Sequence, residues 1–154
     1  MARIQRLLGL CLAAALVVGC SGQVLLDGAA ATSVTVTLDQ VPVEGAAVVF
    51  TPVNGGRSAS GQTNANGVAQ MGTTSVGDGV MPGNYKIVVV KSVEEPSTAP
   101  EGDDTHQYQG RGAPLYPKQI YLVPKKYLTP KTSGLTATVK ADEVNEVTLE
   151  LTSP

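Results

Sequence analysis

The chain has 154 residues with 11 Lys and Arg, 13 Asp and Glu and one His, which gives a formal net charge of −2. Two cysteines exclude a framework of several disulfides, and one histidine excludes a metal site built on a pair of histidines. A mildly acidic chain with scattered lysines also lacks the basic patch that binds nucleic-acid backbones.

The first element along the chain is an export signal. Arg3 and Arg6 precede a small and apolar run over residues 7–18, and Gly19 then leads to Cys20. This run would span only about 18 Å as a helix, which is too short for the ~30 Å core of a bilayer. The sequence Val-Val-Gly-Cys over 17–20 resembles the bacterial lipobox. We therefore expect residues 1–19 to be a signal peptide and Cys20 to be a lipid-bearing N-terminus with palmitate-type acyl chains; ordinary export is the alternative.

Removal of residues 1–19 would leave 135 residues, nine of the basic residues and all 13 acidic ones, and so a net charge of −4. Acyl chains rather than charge would then hold the protein on a membrane. Residues 20–33 are small and polar with a short apolar island, which favours a tether to the membrane. A first edge strand over Gln23–Leu26 is the alternative within it.

Strand patterns follow from Val34 onwards. Apolar and hydroxyl side chains alternate over Val34–Leu38, and apolar and polar ones over Val147–Leu151. Between them, five further strands are predicted at 46–51, 57–63, 68–71, 85–91 and 135–139. Gly and Pro punctuate the chain throughout, and we find no helical periodicity after residue 19. The pattern predicts an all-β domain over 34–154, a seven-stranded antiparallel Greek-key β-sandwich.

A stretch rich in Pro, Gly and acidic residues interrupts the strands at 92–117 and predicts a long acidic loop. It contains His106 beside Asp103 and Asp104. A metal ligand set or a general base is one interpretation of these residues, and a solvated loop with a chance histidine is the favoured one.

Five segments in order carry a family resemblance: VPVEGAAVVFTP (41–52), SGQTNANGVA (60–69), MPGNYKIVVVK (81–91), LVPKKY (122–127) and SGLTATV (133–139). They look like the small lipoproteins of planctomycete-type bacteria that contain carboxypeptidase regulatory-like domains. The resemblance implies a transthyretin-like (prealbumin-like) or Ig-like sandwich over about 34–152. It implies no carboxypeptidase activity, because it is to the accessory sandwich of those enzymes. The hydroxyisourate hydrolases related to transthyretin use histidines and a C-terminal Tyr-Arg-Gly-Ser that this chain lacks.

Candidate sites for chemistry are few. Asn64-Ala65-Asn66-Gly67 has the spacing of part of a calcium loop but no acidic ligand, so a hairpin turn is favoured. Tyrosines and lysines cluster at one candidate binding surface, which comprises Tyr116, Tyr121, Lys125, Lys126 and Tyr127. We therefore expect a non-enzymatic protein without a cofactor, exported and anchored to a bacterial membrane through Cys20. Its role would be structural or protein-binding at the cell envelope, and a carbohydrate-binding module there is the alternative.

Overall fold

The computed structural model describes residues 24–95 and 117–154, which form an all-β domain. All seven predicted strands are present, although with shifted ends, and three short strands are additional. The strands are β1 (Thr32–Leu38), β2 (Val41–Pro42), β3 (Ala47–Pro52), β4 (Ala59–Gln62), β5 (Val68–Gln70), β6 (Gly83–Val90), β7 (Ser92–Glu95), β8 (Lys118–Tyr121), β9 (Thr136–Val139) and β10 (Asn145–Leu151), with one 3-10 helix, Lys125–Leu128.

The first sheet has the strand order β10-β1-β2, and β5 also pairs with β1. β1 and β10 run parallel, from Thr32 opposite Asn145 to Leu38 opposite Leu151. The prediction of purely antiparallel pairing is wrong at this point. The register has a physical reason, because it places the apolar positions of both strands on the same face of the sheet.

The second sheet has the order β4-β3-β6-β9, and all of its pairs are antiparallel. β6 lies in its interior between β3 and β9. Its residues Ile87, Val88 and Val89 are all buried, whereas its N-terminal half alternates between buried Tyr85 and exposed Lys86. The apolar run that predicted a central strand therefore occupies the interior of this sheet.

The two four-stranded sheets share one core. Val34 and Val36 of β1 and Leu149 of β10 are buried together with Phe50 of β3 and Ile87 of β6. The outward residues of β10 are polar and exposed, as the alternation predicts: Glu146, Thr148 and Glu150. A period of two residues thus separates the core face from the solvent face along β10.

A third sheet is a two-stranded ribbon of β7 and β8, in antiparallel register from Ser92 opposite Tyr121 to Glu95 opposite Lys118. The sequence predicts a loop beginning at 92, and that is wrong for Ser92–Glu95. The remainder of the predicted loop, 96–116, lies outside the described residues. β7 follows β6 after Lys91 alone, so the ribbon continues from the interior strand of the second sheet.

The Thr63 side chain, just after β4, forms hydrogen bonds with the loop before β3. Its buried hydroxyl donates to the Val43 carbonyl at 2.6 Å and accepts the Ala46 N–H at 2.7 Å. The next residue, Asn64, closes the predicted turn, since its side-chain oxygen accepts the N–H groups of Asn66 and Val68. The Asn64 side chain therefore acts within a hairpin turn, as the sequence favoured over a calcium loop.

Tyr85 opens β6 as a buried residue whose hydroxyl donates to the Met81 carbonyl at 2.7 Å. Its ring lies 5.6 Å from the ring of Phe50, measured between centroids. Desolvation raises the pKa of this phenol, in keeping with a donor that stays protonated. A tyrosine that bonds back to the chain a few residues upstream has the geometry of the tyrosine corner found in Greek-key sandwiches.

The segment assigned to a tether, 20–33, is described from Val24 and is partly built into the domain. The Leu26 N–H donates to the Asp78 carbonyl, and Ala30 pairs with Val80 and is buried. Residues 24–26 form no strand. The chain therefore enters the domain at the Thr32 end of β1.

Candidate functional site

One residue of the predicted binding surface, Tyr116, lies outside the described residues, and so do the lipidation candidate Cys20 and the loop histidine His106. Tyr121 is on β8, and Lys125 and Lys126 begin the 3-10 helix. The structure brings Tyr121 and Lys125 to one groove of about 600 Å³. Its lining consists of Leu38, Lys118, Gln119, Ile120, Tyr121, Leu122, Val123, Pro124, Lys125, Ser153 and Pro154. We call this feature the lysine groove.

Tyr121 presents an exposed ring at the lysine groove. Its side chain is 37% exposed, and its hydroxyl donates to the side-chain oxygen of Gln119 at 3.0 Å. Both side chains lie on the same face of β8, because they are two residues apart. This amide contact fixes the ring beside the groove and leaves its faces open to a partner.

Tyr127 does not belong to an exposed surface, which corrects the sequence interpretation. It is only 5% exposed and packs in the core cluster, while Lys125 and Lys126 on the same 3-10 helix are exposed. The Tyr127 hydroxyl accepts the Thr152 N–H at 3.0 Å. This tyrosine therefore stabilises the fold by joining the 3-10 helix to the residues after β10.

Desolvation raises the pKa of Tyr127, but hydrogen bonds with Thr152 and Lys126 and the Lys126 charge outweigh it, so the pKa lies below its ordinary value. The Lys126 ammonium lies 4.9 Å from the centre of the Tyr127 ring and donates to the Thr152 hydroxyl at 3.2 Å. The Lys126 ammonium therefore already makes contacts within the domain. Lys118 and Lys125 are the lysines that line the groove.

Asp39 lies close to the lysine groove and accepts the Ser153 N–H at 3.1 Å and the Ser153 hydroxyl. Hydrogen bonds from the Ser153 side chain and backbone lower the pKa of Asp39, and the Lys126 charge adds a smaller effect in the same direction. This carboxylate therefore stays ionised and holds Ser153 at the edge of the groove.

A second concavity of about 530 Å³ lies at the opposite end of the domain, next to the chain entry. Its walls include Leu26, Pro52, Met81 and the ring of Tyr85, with Asp27 and Arg57 among its charged residues. Its Tyr85 hydroxyl is already bonded to the Met81 carbonyl. The polar groups that sequence reasoning placed at a binding surface are absent from this lining.

The loop before this end contains Asp78, which its flanking residues Gly77 and Gly79 predict to be a turn residue. Asp78 accepts the backbone N–H groups of Thr73, Thr74 and Ser75. Desolvation raises its pKa, but these backbone hydrogen bonds and one from its own backbone together outweigh it, and the pKa is lowered. The carboxylate is occupied in holding its own loop, so it is a structural group.

Within residues 24–95 and 117–154, no three His, Cys, Asp or Glu side chains come together as a metal site. No helix in this part of the chain is long and apolar enough to cross a bilayer. No family model, no curated protein and no solved structure matches the chain. The lysine groove is thus identified by its own geometry and chemistry.

Proposed function

We propose that the protein is a lipid-anchored binding protein of a bacterial cell envelope that presents the lysine groove away from the membrane. The observation that carries this proposal is the placement of two features at opposite ends of β1. The chain enters at Thr32, whereas Leu38 lines the groove. Seven residues of strand separate these ends by about 20 Å.

The anchor in this proposal is Cys20. Val24 is the fourth residue after Cys20, so the Cα atoms of the two residues would lie within about 14 Å of each other. Val24 and Val76 are 89% and 87% exposed at this end, where Leu26 is hydrogen-bonded to Asp78. Exposed apolar side chains suit an end of the domain that rests on lipid headgroups.

The domain in this proposal is a seven-stranded Greek-key sandwich of the transthyretin-like kind, with β2, β7 and β8 as additions. The corner formed by Tyr85 and Met81 and the shared core of the two sheets support it. The role is binding rather than catalysis, because the exposed groups at the groove are lysines, an aromatic ring and apolar side chains. Such groups recognise a partner's surface.

A carbohydrate-binding role is the second candidate, and the exposed Tyr121 ring is the observation in its favour. Sugar stacking at this surface would have used Tyr116, Tyr121 and Tyr127. Because the Tyr127 ring is buried, only Tyr121 remains as a stacking platform among the described residues. The protein-binding role is therefore the stronger proposal.

Photo-crosslinking in intact cells tests the proposed function. A photoreactive amino acid replaces Tyr121 in one variant and Val76 in a matched control, both in the protein that retains Cys20. We expect one reproducible protein partner from position 121 and lipid or no partner from position 76. Recovery of the same partner only from position 76 would reject the proposed orientation, and recovery of polysaccharide alone from position 121 would favour the carbohydrate-binding role.

A further inference from the structure

The outer edge of β8 has backbone groups that find no partner within residues 24–95 and 117–154. The Leu122 N–H donates to the Lys91 carbonyl at 2.8 Å, which makes Lys91 and Leu122 a hydrogen-bonded pair of the antiparallel ribbon. Such pairs alternate with non-hydrogen-bonded ones along the strand. Gln119 and Tyr121 therefore direct their backbone N–H and C=O groups away from β7.

This free edge borders the lysine groove. β8 pairs only with β7 among the described strands, and no described backbone group bonds to Gln119 or Tyr121. The groove is lined by the whole of β8 and continues to Lys125, while no residue of β7 lines it. The open backbone edge and the concave surface are thus on the same side of the ribbon.

The groove offers a ligand both positive charges and apolar side chains. Leu38, Ile120 and Val123 contribute apolar groups, and Lys118 and Lys125 contribute two ammonium groups. The one ion pair among the described residues joins Lys140 to Glu143, so neither groove lysine is neutralised there. Glu95 faces Lys118 across the ribbon without forming an ion pair.

We propose that the lysine groove binds an extended acidic segment of a partner protein as an added strand on the free edge of β8. The outward groups of Gln119 and Tyr121 are two residues apart, which is the hydrogen-bonding repeat of a strand. Main-chain bonds to this edge would supply affinity, and carboxylates on the segment would meet Lys118 and Lys125. Its apolar side chains would pack towards Ile120 and Leu38.

This inference rests on the proposed function, because it identifies the class of partner for the same groove. The two can fail separately. Peptide binding to the purified protein does not require the lipid at Cys20, whereas the membrane orientation that the crosslinking tests does require it. If protein isolated from its own cells binds acidic peptide but carries no lipid on Cys20, this inference is retained and the anchor is rejected.

The test uses a fluorescent peptide with glutamate and valine in turn at every second position and threonine between them, so that both types share the face that meets Lys118 and Ile120. Fluorescence anisotropy measures its binding to the full processed protein. Two further peptides are matched to it: one with glutamine in place of glutamate, and one with N-methyl groups at alternate backbone nitrogens. We expect both to bind at least about tenfold more weakly, since one lacks the charges and the other lacks the main-chain donors.

Two variants of the protein, each with a matched control, test the lysines and the backbone edge of the groove. K118Q combined with K125Q removes the charges, and K86Q on the exposed face of β6 is the matched control. Gln119→Pro removes an N–H that points away from β7, so the ribbon keeps its own bonds. Ser92→Pro is the matched control, because it removes an N–H that points away from β8 at the opposite edge of the ribbon. Thermal unfolding checks that each variant is folded.

We expect at least about a tenfold loss of peptide affinity in the double lysine variant and in Gln119→Pro, and no change in either control. Equal affinity for the glutamate and glutamine peptides would overturn the acidic specificity. Unchanged binding by a folded Gln119→Pro protein would overturn strand addition. Binding of neutral oligosaccharides without peptide binding, lost in Tyr121→Ala, would overturn the inference in favour of a glycan site.

Discussion

Asp39 and Ser153 lie 114 residues apart in the chain and are joined by two hydrogen bonds to one carboxylate. Asp39 directly follows β1, and Ser153 lies two residues beyond β10. This link closes the parallel pair of strands at the end that carries the lysine groove. It therefore holds one wall of the groove in place.

Asp39→Asn is expected to lower the melting temperature at neutral pH. Because the folded-state pKa of Asp39 lies below its ordinary value of 3.8, its stabilisation is complete above that value and is lost as the pH falls through the folded-state pKa. The difference from the unsubstituted protein should therefore shrink as the pH falls through the folded-state pKa of Asp39. Asp39 has a φ of +49°, which asparagine tolerates well, so the substitution tests charge rather than backbone strain.

Asp27→Asn is the matched control for this measurement, since the Asp27 carboxylate makes no hydrogen bond within the described part of the chain. Its melting temperature should follow that of the unsubstituted protein across the same pH range. A constant difference between Asp39→Asn and the unsubstituted protein down to acid pH would show that the carboxylate charge is not responsible.

Thr63→Val is expected to reduce the free energy of unfolding by about 1–3 kcal/mol, because it leaves the Ala46 N–H and the Val43 carbonyl without their buried partner. Urea unfolding measures the change. Thr63→Ser keeps the hydroxyl and should retain most of the stability. A loss in Thr63→Ser with none in Thr63→Val would indicate that the methyl group, and not the hydrogen bonds, stabilises this loop.

Gly67→Ala is expected to be more destabilising than Gly55→Ala. Both glycines have positive φ, +75° and +80°, so each alanine carries a similar strain of about 1–2 kcal/mol. A Cβ at position 67 would lie 2.6 Å from the Val36 carbonyl oxygen, whereas at position 55 it meets nothing within 4 Å. The additional loss at position 67, measured by urea unfolding, should be about 1–3 kcal/mol. Equal losses would contradict close packing of this turn on β1.

Tyr127→Ala should reduce the free energy of unfolding by about 3 kcal/mol, because it empties a buried site and removes the acceptor of the Thr152 N–H. Tyr121→Ala should cost less, about 1 kcal/mol, because its side chain is 37% exposed and is not part of the core. Denaturant unfolding of the two variants measures the difference. Similar effects on stability would contradict the separation of a structural tyrosine from a binding tyrosine.

Strand positions were the most predictable part of the fold. β1 and β10 follow from the alternation of apolar and polar residues, because one face of each strand must be buried. Their parallel pairing was not predictable, since Thr32 and Asn145 are brought together by the whole fold and no local pattern records it. β6 was predictable from its apolar run because it lies in the interior of a sheet.

The ribbon and the groove were less predictable. Ser92–Glu95 has no apolar alternation, and its strand exists through pairing with Lys118–Tyr121. The Tyr127 side chain was misassigned because its neighbours are lysines, although a 3-10 turn directs adjacent residues to different sides. Tyr121 and Lys125 are predicted binding residues and line the groove. The free edge of β8 can be identified only from the pairing register of the ribbon, which the sequence does not show.

The proposed orientation of the domain on a membrane can be measured directly by labelling. Val76→Cys and Tyr121→Cys each add one thiol to a chain whose own cysteines are Cys11 and Cys20. On vesicles that carry a headgroup quencher, the lipid-bearing protein should show strong quenching of a fluorophore at position 76 and little at position 121. Equal quenching at both positions would contradict a groove that faces away from the membrane, as would stronger quenching at position 121.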